Sequence, residues 1–130
     1  MKVIGLDGRF HSLSLAQYRN NSAITNKSQY HLKARELIKE LYPNHPAYEE
    51  VMLPGSRLYV DFLLPTNSMM IEVHGEQHYS DNSFFYKTYA DFIAAKQRDA
   101  RKKEWCELNN YTYVELPYKE SNDDWKKRLR

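Results

Sequence analysis

The stretch from Arg57 to Gly75, RLYVDFLLPTNSMMIEVHG, decides the fold. It contains two apolar runs, RLYVDFLL and MMIEVHG, separated by PTNS, whose Pro, Asn and Ser favour a turn. Apolar runs of this length next to turn residues are typical of buried strands. We therefore predict a β-hairpin in which Leu64 pairs with Met69 across the turn.

Each apolar run is interrupted by one carboxylate, Asp61 in the first and Glu72 in the second. Counting outward from the turn places Asp61 directly opposite Glu72, and opposed residues on antiparallel strands have Cβ atoms about 5 Å apart on the same face. His74 is expected on that face, whereas Ile71 and Val73 should point into the core. Two carboxylates this close repel each other unless a cation lies between them or one is protonated.

Hard divalent cations are held by carboxylates, water and substrate phosphate, so Asp61 and Glu72 predict a Mg²⁺ site, for which Mn²⁺ could substitute. Such an ion activates water and stabilises transition-state charge during phosphodiester hydrolysis. His78 or His74 is expected to accept the proton of that water, because imidazole titrates near neutral pH. His74, Glu76 and His78 would offer a transition-metal set instead if the strand continued past His74.

The segments around the hairpin add two helices and two strands. Ser28 is a good N-cap and apolar residues then recur at helical spacing, which predicts a helix over residues 29–42. A strand is expected in YEEVM, a long helix over residues 90–110, and a strand over residues 111–116. This order predicts an α/β, three-layer-type sandwich with a central mixed β-sheet flanked by helices.

The length of 130 residues is that of one ordinary domain. We expect residues 28–118 to form the core. Residues 1–27 precede it as an appendage, with a hairpin around Asp7 and a polar loop. Residues 119–130 follow as a basic tail, in which DDWKKRLR either forms a short amphipathic helix or remains a tail.

Composition excludes several classes of protein. The net charge of +2 argues against a strongly basic polyelectrolyte, although basic residues cluster at Lys96 to Lys103 and Lys126 to Arg130. A single cysteine, Cys106, excludes an intramolecular disulfide and a multi-thiolate zinc site, which indicates a reducing, cytoplasmic setting. There is no apolar run of the ~20 residues that a membrane span needs, so we expect neither secretion nor membrane insertion.

Residues 60–78, VDFLLPTNSMMIEVHGEQH, and residues 97–116, QRDARKKEWCELNNYTYVEL, resemble the PD-(D/E)XK nuclease superfamily. Within it they look most like the very-short-patch-repair endonucleases and the phage homing endonucleases that share their core. The resemblance extends over residues 28–118 and implies a restriction-endonuclease-like core.

The resemblance also implies roles for residues outside the carboxylate pair. His74 matches the His-Gly pair that ends the second strand, and His78 matches the general base. Asp99 and Lys102 match an Asp-x-x-basic arrangement on the helix that follows. Asp99 would then either orient a histidine or form a salt bridge with Lys102 or Lys103.

In the family an aspartate on the first hairpin strand binds magnesium, which matches Asp61, and the expected ligand set is Asp61, Glu72 and Val73. This chain departs from the family at the usual Glu-x-Lys motif, where His74 occupies the lysine position. The lysine's role therefore falls to His74, to Lys102 arriving from the helix, or to neither.

Family members also tend to carry a glutamate on the first helix, facing the site. A helical wheel at about 100° per residue points Glu36 to solvent, whereas His31 flanks the apolar stripe. We therefore assign the helical site position to His31.

The expected function is metal-dependent DNA hydrolysis by a phage or mobile-element nuclease of the homing or repair type, acting in the host cytoplasm. The alternatives are a Holliday-junction-type resolving nuclease and a non-catalytic nucleic-acid-binding protein on the same fold. DNA is the expected partner. Sequence-specific recognition needs more surface than this core offers, so a homodimer or a larger partner is also expected.

Overall fold

A four-stranded mixed β-sheet lies at the centre of the protein, in a computed structural model that describes residues 1–75 and 88–130. The elements are, in chain order, β1 (Lys2–Ile4), β2 (Phe10–Ser12), α1 (Gln29–Leu41), β3 (Tyr48–Met52), β4 (Tyr59–Leu64), β5 (Met69–His74), α2 (Tyr89–Asn109), β6 (Thr112–Pro117) and α3 (Asn122–Leu129). The predicted α/β class with a mixed sheet is confirmed.

The strands of the central sheet lie in the order β3-β4-β5-β6. Strands β3, β4 and β5 are antiparallel neighbours, and β6 runs parallel to β5 after the crossover through α2. Leu64 pairs with Met69, as predicted from the turn PTNS. Strands β1 and β2 form a separate antiparallel hairpin, with Gly8 at a φ of 79° in its turn.

Two apolar cores cover the two faces of the sheet. The first core joins α1 and α3 to side chains that include Phe62, Ile71 and Leu116. The second core joins α2 and the β1–β2 hairpin to side chains that include Leu63 and Met70. Neighbouring residues along a strand enter opposite cores, as the alternation of a strand requires. The sheet is therefore the middle of three layers.

The C-terminal residues form a packed helix. Ser121 caps α3 by accepting a hydrogen bond from the Asp124 main-chain N–H at 3.2 Å. Trp125 and Leu129 are fully buried in the first core, and the Trp125 Nε1–H donates to the Pro117 carbonyl at 2.7 Å. Of the two alternatives for DDWKKRLR, the structure shows the helix.

The alternation along β4 shifts at Asp61. Phe62 belongs to the first core, yet Val60, two residues away, belongs to the second. Glu50 lies opposite Asp61 in the register of β3 with β4 and has a φ of 53°, in the left-handed region. A non-glycine residue in that conformation inside a strand locally twists the ladder. The alternation of β4 therefore changes at Asp61, the residue predicted to bind a metal.

Helix α2 is 21 residues long and carries Trp105 and Cys106 into the second core. Thr88 caps its first turn by accepting from the Asp91 N–H at 3.1 Å, and Asn110 ends it at a φ of 57°. Within the described residues no helix has both the length and the apolar character needed to cross a bilayer.

Candidate active site

Asp61 and Glu72 contact each other's strands reciprocally. The Asp61 N–H donates to Glu72 Oε2 at 2.7 Å, and the Val73 N–H donates to Asp61 Oδ2 at 2.8 Å. The paired register of β4 with β5 runs from Leu64 to Phe62, one step short of Asp61. Beyond that point, side-chain carboxylates accept the two main-chain N–H groups that carbonyl oxygens accept in a regular ladder.

A row of four acidic residues crosses the whole sheet, one from each strand. Glu72 pairs with Glu115, and extending the neighbouring registers to Asp61 aligns it with Glu50 on one side and with Glu72 on the other. We call these four residues the acidic row. Sequence analysis found only its two central members.

Basic groups accompany the acidic row. Three of its members have a direct basic partner: Lys27 for Glu50, Lys102 for Glu72, and His74 for Glu115. Asp61 instead receives the Val73 N–H and is partly buried. Buried carboxylates are strongly destabilising without such compensation.

Burial and mutual repulsion raise the pKa of both central carboxyls. Burial raises the pKa of Glu72 to about 8, the charge of Asp61 adds to this rise, and Lys102 opposes it. Burial also raises the pKa of Asp61, against the Val73 N–H and with the help of the Glu50 charge. Without a cation, the pair is therefore expected to retain a proton near neutral pH.

Position 74 on β5 is a histidine, and the lysine that contacts the carboxylate pair comes from α2. Lys102 Nζ donates to Glu72 Oε1, which corresponds to the second of the three alternatives for the lysine's role. His74, at the motif's lysine position, is enclosed instead and only 3% exposed. Its Nδ1 contacts Glu115 Oε1, and its Nε2 lies 3.2 Å from the Tyr113 hydroxyl.

Asp99 lies beside His74. Its Oδ1 is 3.9 Å from His74 Nε2, and the side chain is almost fully buried. This arrangement corresponds to the alternative in which Asp99 orients a histidine. It makes His74 a member of a buried polar network, which is a poor position for exchanging protons with solvent.

His31 approaches the same site from the first turn of α1, and Glu36 is exposed, as the helical wheel predicts. His31 Nε2 lies 2.6 Å from Glu49 Oε1, and its ring stacks on Phe62 with centroids 4.5 Å apart. Arg35 binds the same carboxylate through two hydrogen bonds of 2.8 and 2.9 Å.

Glu49 is ionised in this setting. Burial raises its pKa, but the hydrogen bonds from His31 and Arg35 outweigh burial and the pKa lies below its ordinary value. Sequence analysis missed Glu49 and Arg35. The signal that could have found them is the spacing of four residues between His31 and Arg35, which puts both on one helix face.

A cleft of about 250 Å³ opens beside Asp61. Its walls come from the start of α1 and from the adjoining ends of β4 and β5: Ser28, Tyr30, His31, Asp61, Val73 and Gly75. Two of the three predicted metal ligands therefore line one cleft, and the third, Glu72, contacts the main chain of Asp61. Such a donor set of carboxylates and main chain suits a hard divalent cation.

The predicted general base, His78, and its neighbour Glu76 lie outside the described residues, which end at Gly75 and resume at Thr88. The structure places six of the seven predicted catalytic residues. It gathers Asp61, Glu72 and Lys102 at one point, with His31 on the cleft side of Asp61 and with His74 and Asp99 together behind Glu72.

No family model and no solved structure matches the chain. The chain is 32% identical over 73 residues to "Uncharacterized protein 033L" of Invertebrate iridescent virus 3, a match that covers 56% of this chain and 38% of that protein. It is 34% identical over 61 residues to "Uncharacterized protein 307L" of Invertebrate iridescent virus 6, covering 47% of this chain and 31% of that protein. The matched regions span well under half of either relative's length, so the chain is similar to part of two larger viral proteins.

Proposed function

We propose that this chain is a metal-dependent DNA endonuclease with a restriction-endonuclease-like core. Asp61, Glu72 and the main chain of Val73 would hold a Mg²⁺ ion. The observation that carries the proposal is the reciprocal contact of Asp61 and Glu72, where each carboxylate accepts a main-chain N–H of the other's strand.

This contact is costly to stability, which supports a functional origin. Glu72 is 3% exposed, and apolar side chains of similar volume at such positions are often neutral or stabilising relative to buried charges. Clusters of titratable groups with perturbed pKa values in a cleft are characteristic of functional sites. The left-handed Glu50 adds local backbone strain beside Asp61.

The residues around the pair have distinct proposed roles. A bound Mg²⁺ supplies Lewis-acid activation of water and charge stabilisation on the phosphate. Lys102 orients Glu72 and brings a positive charge to the site. His78 is proposed to accept the proton of the attacking water, whereas Asp99 and Tyr113 hold His74 in place.

The fold and the viral relatives support the same proposal. The order α1, β3, β4, β5, α2, β6 is the one predicted together with the superfamily resemblance. The two relatives are uncharacterized proteins of viruses, and a viral setting suits the compact mobile-element nuclease proposed here. DNA is the proposed partner, and a homodimer is proposed to supply the surface for recognition.

Cleavage assays test the proposal directly. The protein is incubated with supercoiled plasmid, random-sequence duplexes and a four-way junction, with Mg²⁺ or with EDTA. We expect cleavage in the presence of Mg²⁺ and none in EDTA. Asp61→Ala should lower the cleavage rate by at least about 100-fold.

The matched control is Glu36→Gln, because the Glu36 side chain is 74% exposed on α1, away from the cleft. It should cleave as the unaltered protein does. Cleavage that persists in EDTA or in Asp61→Ala would contradict the proposed mechanism. Cleavage confined to the junction would identify a resolving nuclease.

A further inference from the structure

A second set of ligand atoms lies on the cleft side of Asp61. His31 from α1, Glu50 from β3 and Asp61 from β4 each offer one ligand atom, and these atoms lie within 4.8 Å of one another. His31 and Asp61 also line the cleft of about 250 Å³. The set differs from the predicted Mg²⁺ ligands because it includes an imidazole and excludes Glu72.

His31 is held with one ring nitrogen available. Its Nε2 lies 2.6 Å from Glu49 Oε1, and in the tautomer that donates Nε2–H to this carboxylate the Nδ1 lone pair is free to bind a metal. Among residues 1–75 and 88–130, the side-chain hydrogen bond of His31 is made through Nε2, and the residue lines the cleft. Histidines that bind metals commonly donate their other ring N–H to a carboxylate in this way.

Glu49 is itself fixed, because Arg35 binds both of its oxygens. The side chain is 1% exposed, so the His31, Glu49 and Arg35 contacts form inside the protein. A carboxylate fixed on both sides sets the direction and the tautomer of the histidine it contacts. Glu49 is therefore the positioning residue of His31.

Glu50 reaches the set through an unfavourable backbone conformation. Its φ of 53° lies in the left-handed region, which non-glycine residues rarely adopt. One of its oxygens lies 3.1 Å from Lys27 Nζ, and a third of the side chain is exposed. The geometric basis for a ligand role is that a Glu50 oxygen lies within 4.8 Å of the ligand atoms of His31 and Asp61.

We propose that His31, Glu50 and Asp61 bind a divalent transition-metal cation. One imidazole with two carboxylates suits Mn²⁺, Fe²⁺ or Zn²⁺ better than Mg²⁺ or Ca²⁺, which prefer oxygen ligands alone. Asp61 is shared with the proposed Mg²⁺ position. The inference does not require nuclease activity, because it concerns metal binding by the protein alone.

Titration of the full chain with Mn²⁺, followed by the electron paramagnetic resonance signal of the free ion and without DNA, tests this site. We expect His31→Ala and Glu50→Gln each to weaken Mn²⁺ binding by about 10–100-fold. His45→Ala and Glu36→Gln are the matched controls, because both residues are exposed outside the cleft, and they should bind Mn²⁺ unchanged. Equal Mn²⁺ affinity in Glu50→Gln and the unaltered protein overturns the proposal.

Two further measurements remain informative if His31→Ala fails to fold. Glu50→Gly relieves the left-handed strain, so it should be at least as stable as the unaltered protein while losing Mn²⁺ affinity. In ¹⁵N spectra of the histidine rings of the unaltered protein, Zn²⁺ should shift Nδ1 of His31 while Nε2 keeps its proton. Unshifted His31 resonances at saturating Zn²⁺, or no metal binding at all, overturn the proposal.

Failure here is distinguishable from failure of the nuclease proposal. If Mn²⁺ binding depends on His31 and Glu50 but no DNA is cleaved, the nuclease proposal is contradicted and the metal site is supported. If cleavage depends on Mg²⁺ but Glu50→Gly leaves Mn²⁺ binding unchanged, the metal site is contradicted and the nuclease proposal is supported.

Discussion

At the residue scale, Glu72 shows how one side chain combines structural and chemical demands. Its Oε2 accepts the Asp61 N–H and its Oε1 accepts from Lys102, so it satisfies main chain and lysine at once. It does so 3% exposed and next to a second carboxylate. The free-energy cost of the negative charge is therefore larger than one lysine offsets, and the raised pKa is the measurable result.

The first prediction is that the metal-free protein loses stability as pH rises from about 5 to about 8. The pKa of Glu72 is raised from its ordinary value of 4.5 to about 8, so between these values the folded protein binds more protons than the unfolded chain. Stability from this group is fully present below 4.5 and is lost as pH rises to about 8. The raised pKa of Asp61 acts in the same direction.

Urea unfolding in EDTA measures this effect, which should amount to a few kcal/mol at about 1.4 kcal/mol per pKa unit. Glu72→Gln should flatten the dependence, because it has no proton to lose. Cys106 does not contribute, because burial raises its pKa from 9.0 to about 12, above this window. A stability that increases with pH over this range would show that the pair is ionised when folded.

How well single residues were predictable depended on the sequence distance to their partners. The contact between Asp61 and Glu72 could be anticipated because a four-residue turn connects their strands, although the paired register ends one step earlier, at Phe62 and Ile71. Placing Glu50 near Asp61 would have required knowing the register of β3 with β4, which a longer loop connects. It would also have required the left-handed φ of Glu50, which no local sequence pattern predicts. Glu49 meets His31 only when α1 packs on the sheet, so sequence reasoning could not assign that contact.

At the element scale, the β1–β2 hairpin docks on the turn between β3 and β4 through Asp7 and His11. These two side chains lie 2.9 Å apart, and a Cβ built on Gly55 would lie 2.8 Å from His11 Nε2 and 3.0 Å from Asp7 Oδ2. Only a glycine leaves room for this pair, so the turn and the hairpin depend on each other.

The second prediction compares Gly55→Ala with Gly8→Ala. Both glycines have a φ of 79°, so both substitutions incur the left-handed cost of about 1 kcal/mol. Among residues 1–75 and 88–130, no heavy atom other than those of Gly8 and its chain neighbours lies within 4 Å of the Cβ position on Gly8, whereas Gly55→Ala must also displace His11 from Asp7. We expect Gly55→Ala to destabilise the protein more than Gly8→Ala does, measured by urea unfolding. Equal losses would show that His11 moves aside freely.

The third prediction concerns α3. Trp125 is fully buried between α3 and the sheet, so Trp125→Ala should lower the free energy of unfolding by about 3–5 kcal/mol. Lys127→Ala, on the exposed side of the same helix, should change it by no more than about 0.5 kcal/mol. Thermal or urea unfolding gives both values. A loss below about 1 kcal/mol in Trp125→Ala would mean that α3 behaves as a tail.

Periodicity predicted the elements well and their ends less well. Helix α1 was expected to reach residue 42 but ends at Leu41, because Tyr42 has a φ of −132°. Strand β6 includes Pro117, which was expected to close it, since an edge strand tolerates a residue without an N–H. The shift of alternation between Phe62 and Val60 could not be predicted, because it coincides with the left-handed conformation of Glu50 on the neighbouring strand.

At the scale of the whole molecule, the proposed site connects elements that are distant in sequence. His31 comes from α1, Asp61 and Glu72 from β4 and β5, and Lys102 from α2. The unfolded chain therefore holds no preformed site, and metal binding adds directly to the stability of the fold. The acidic row makes this coupling dependent on pH, because a metal must displace the proton that the Asp61 and Glu72 pair retains.

The fourth prediction is that Mg²⁺ or Mn²⁺ stabilises the protein more at about pH 8 than at about pH 5. At a free metal concentration about 100 times the dissociation constant, the gain should be about 2.7 kcal/mol, visible as a rise in Tm. Asp61→Asn should abolish the gain at both pH values, whereas Glu36→Gln, on the exposed face of α1, should retain it. Metal binding and the loss of metal-free stability then have one cause, since the repulsion that destabilises the empty site at high pH is what a cation relieves. Equal stabilisation at both pH values would show that metal binding and the pH-dependent loss of stability have different causes. A gain in stability that persists in Asp61→Asn would show that the metal binds elsewhere.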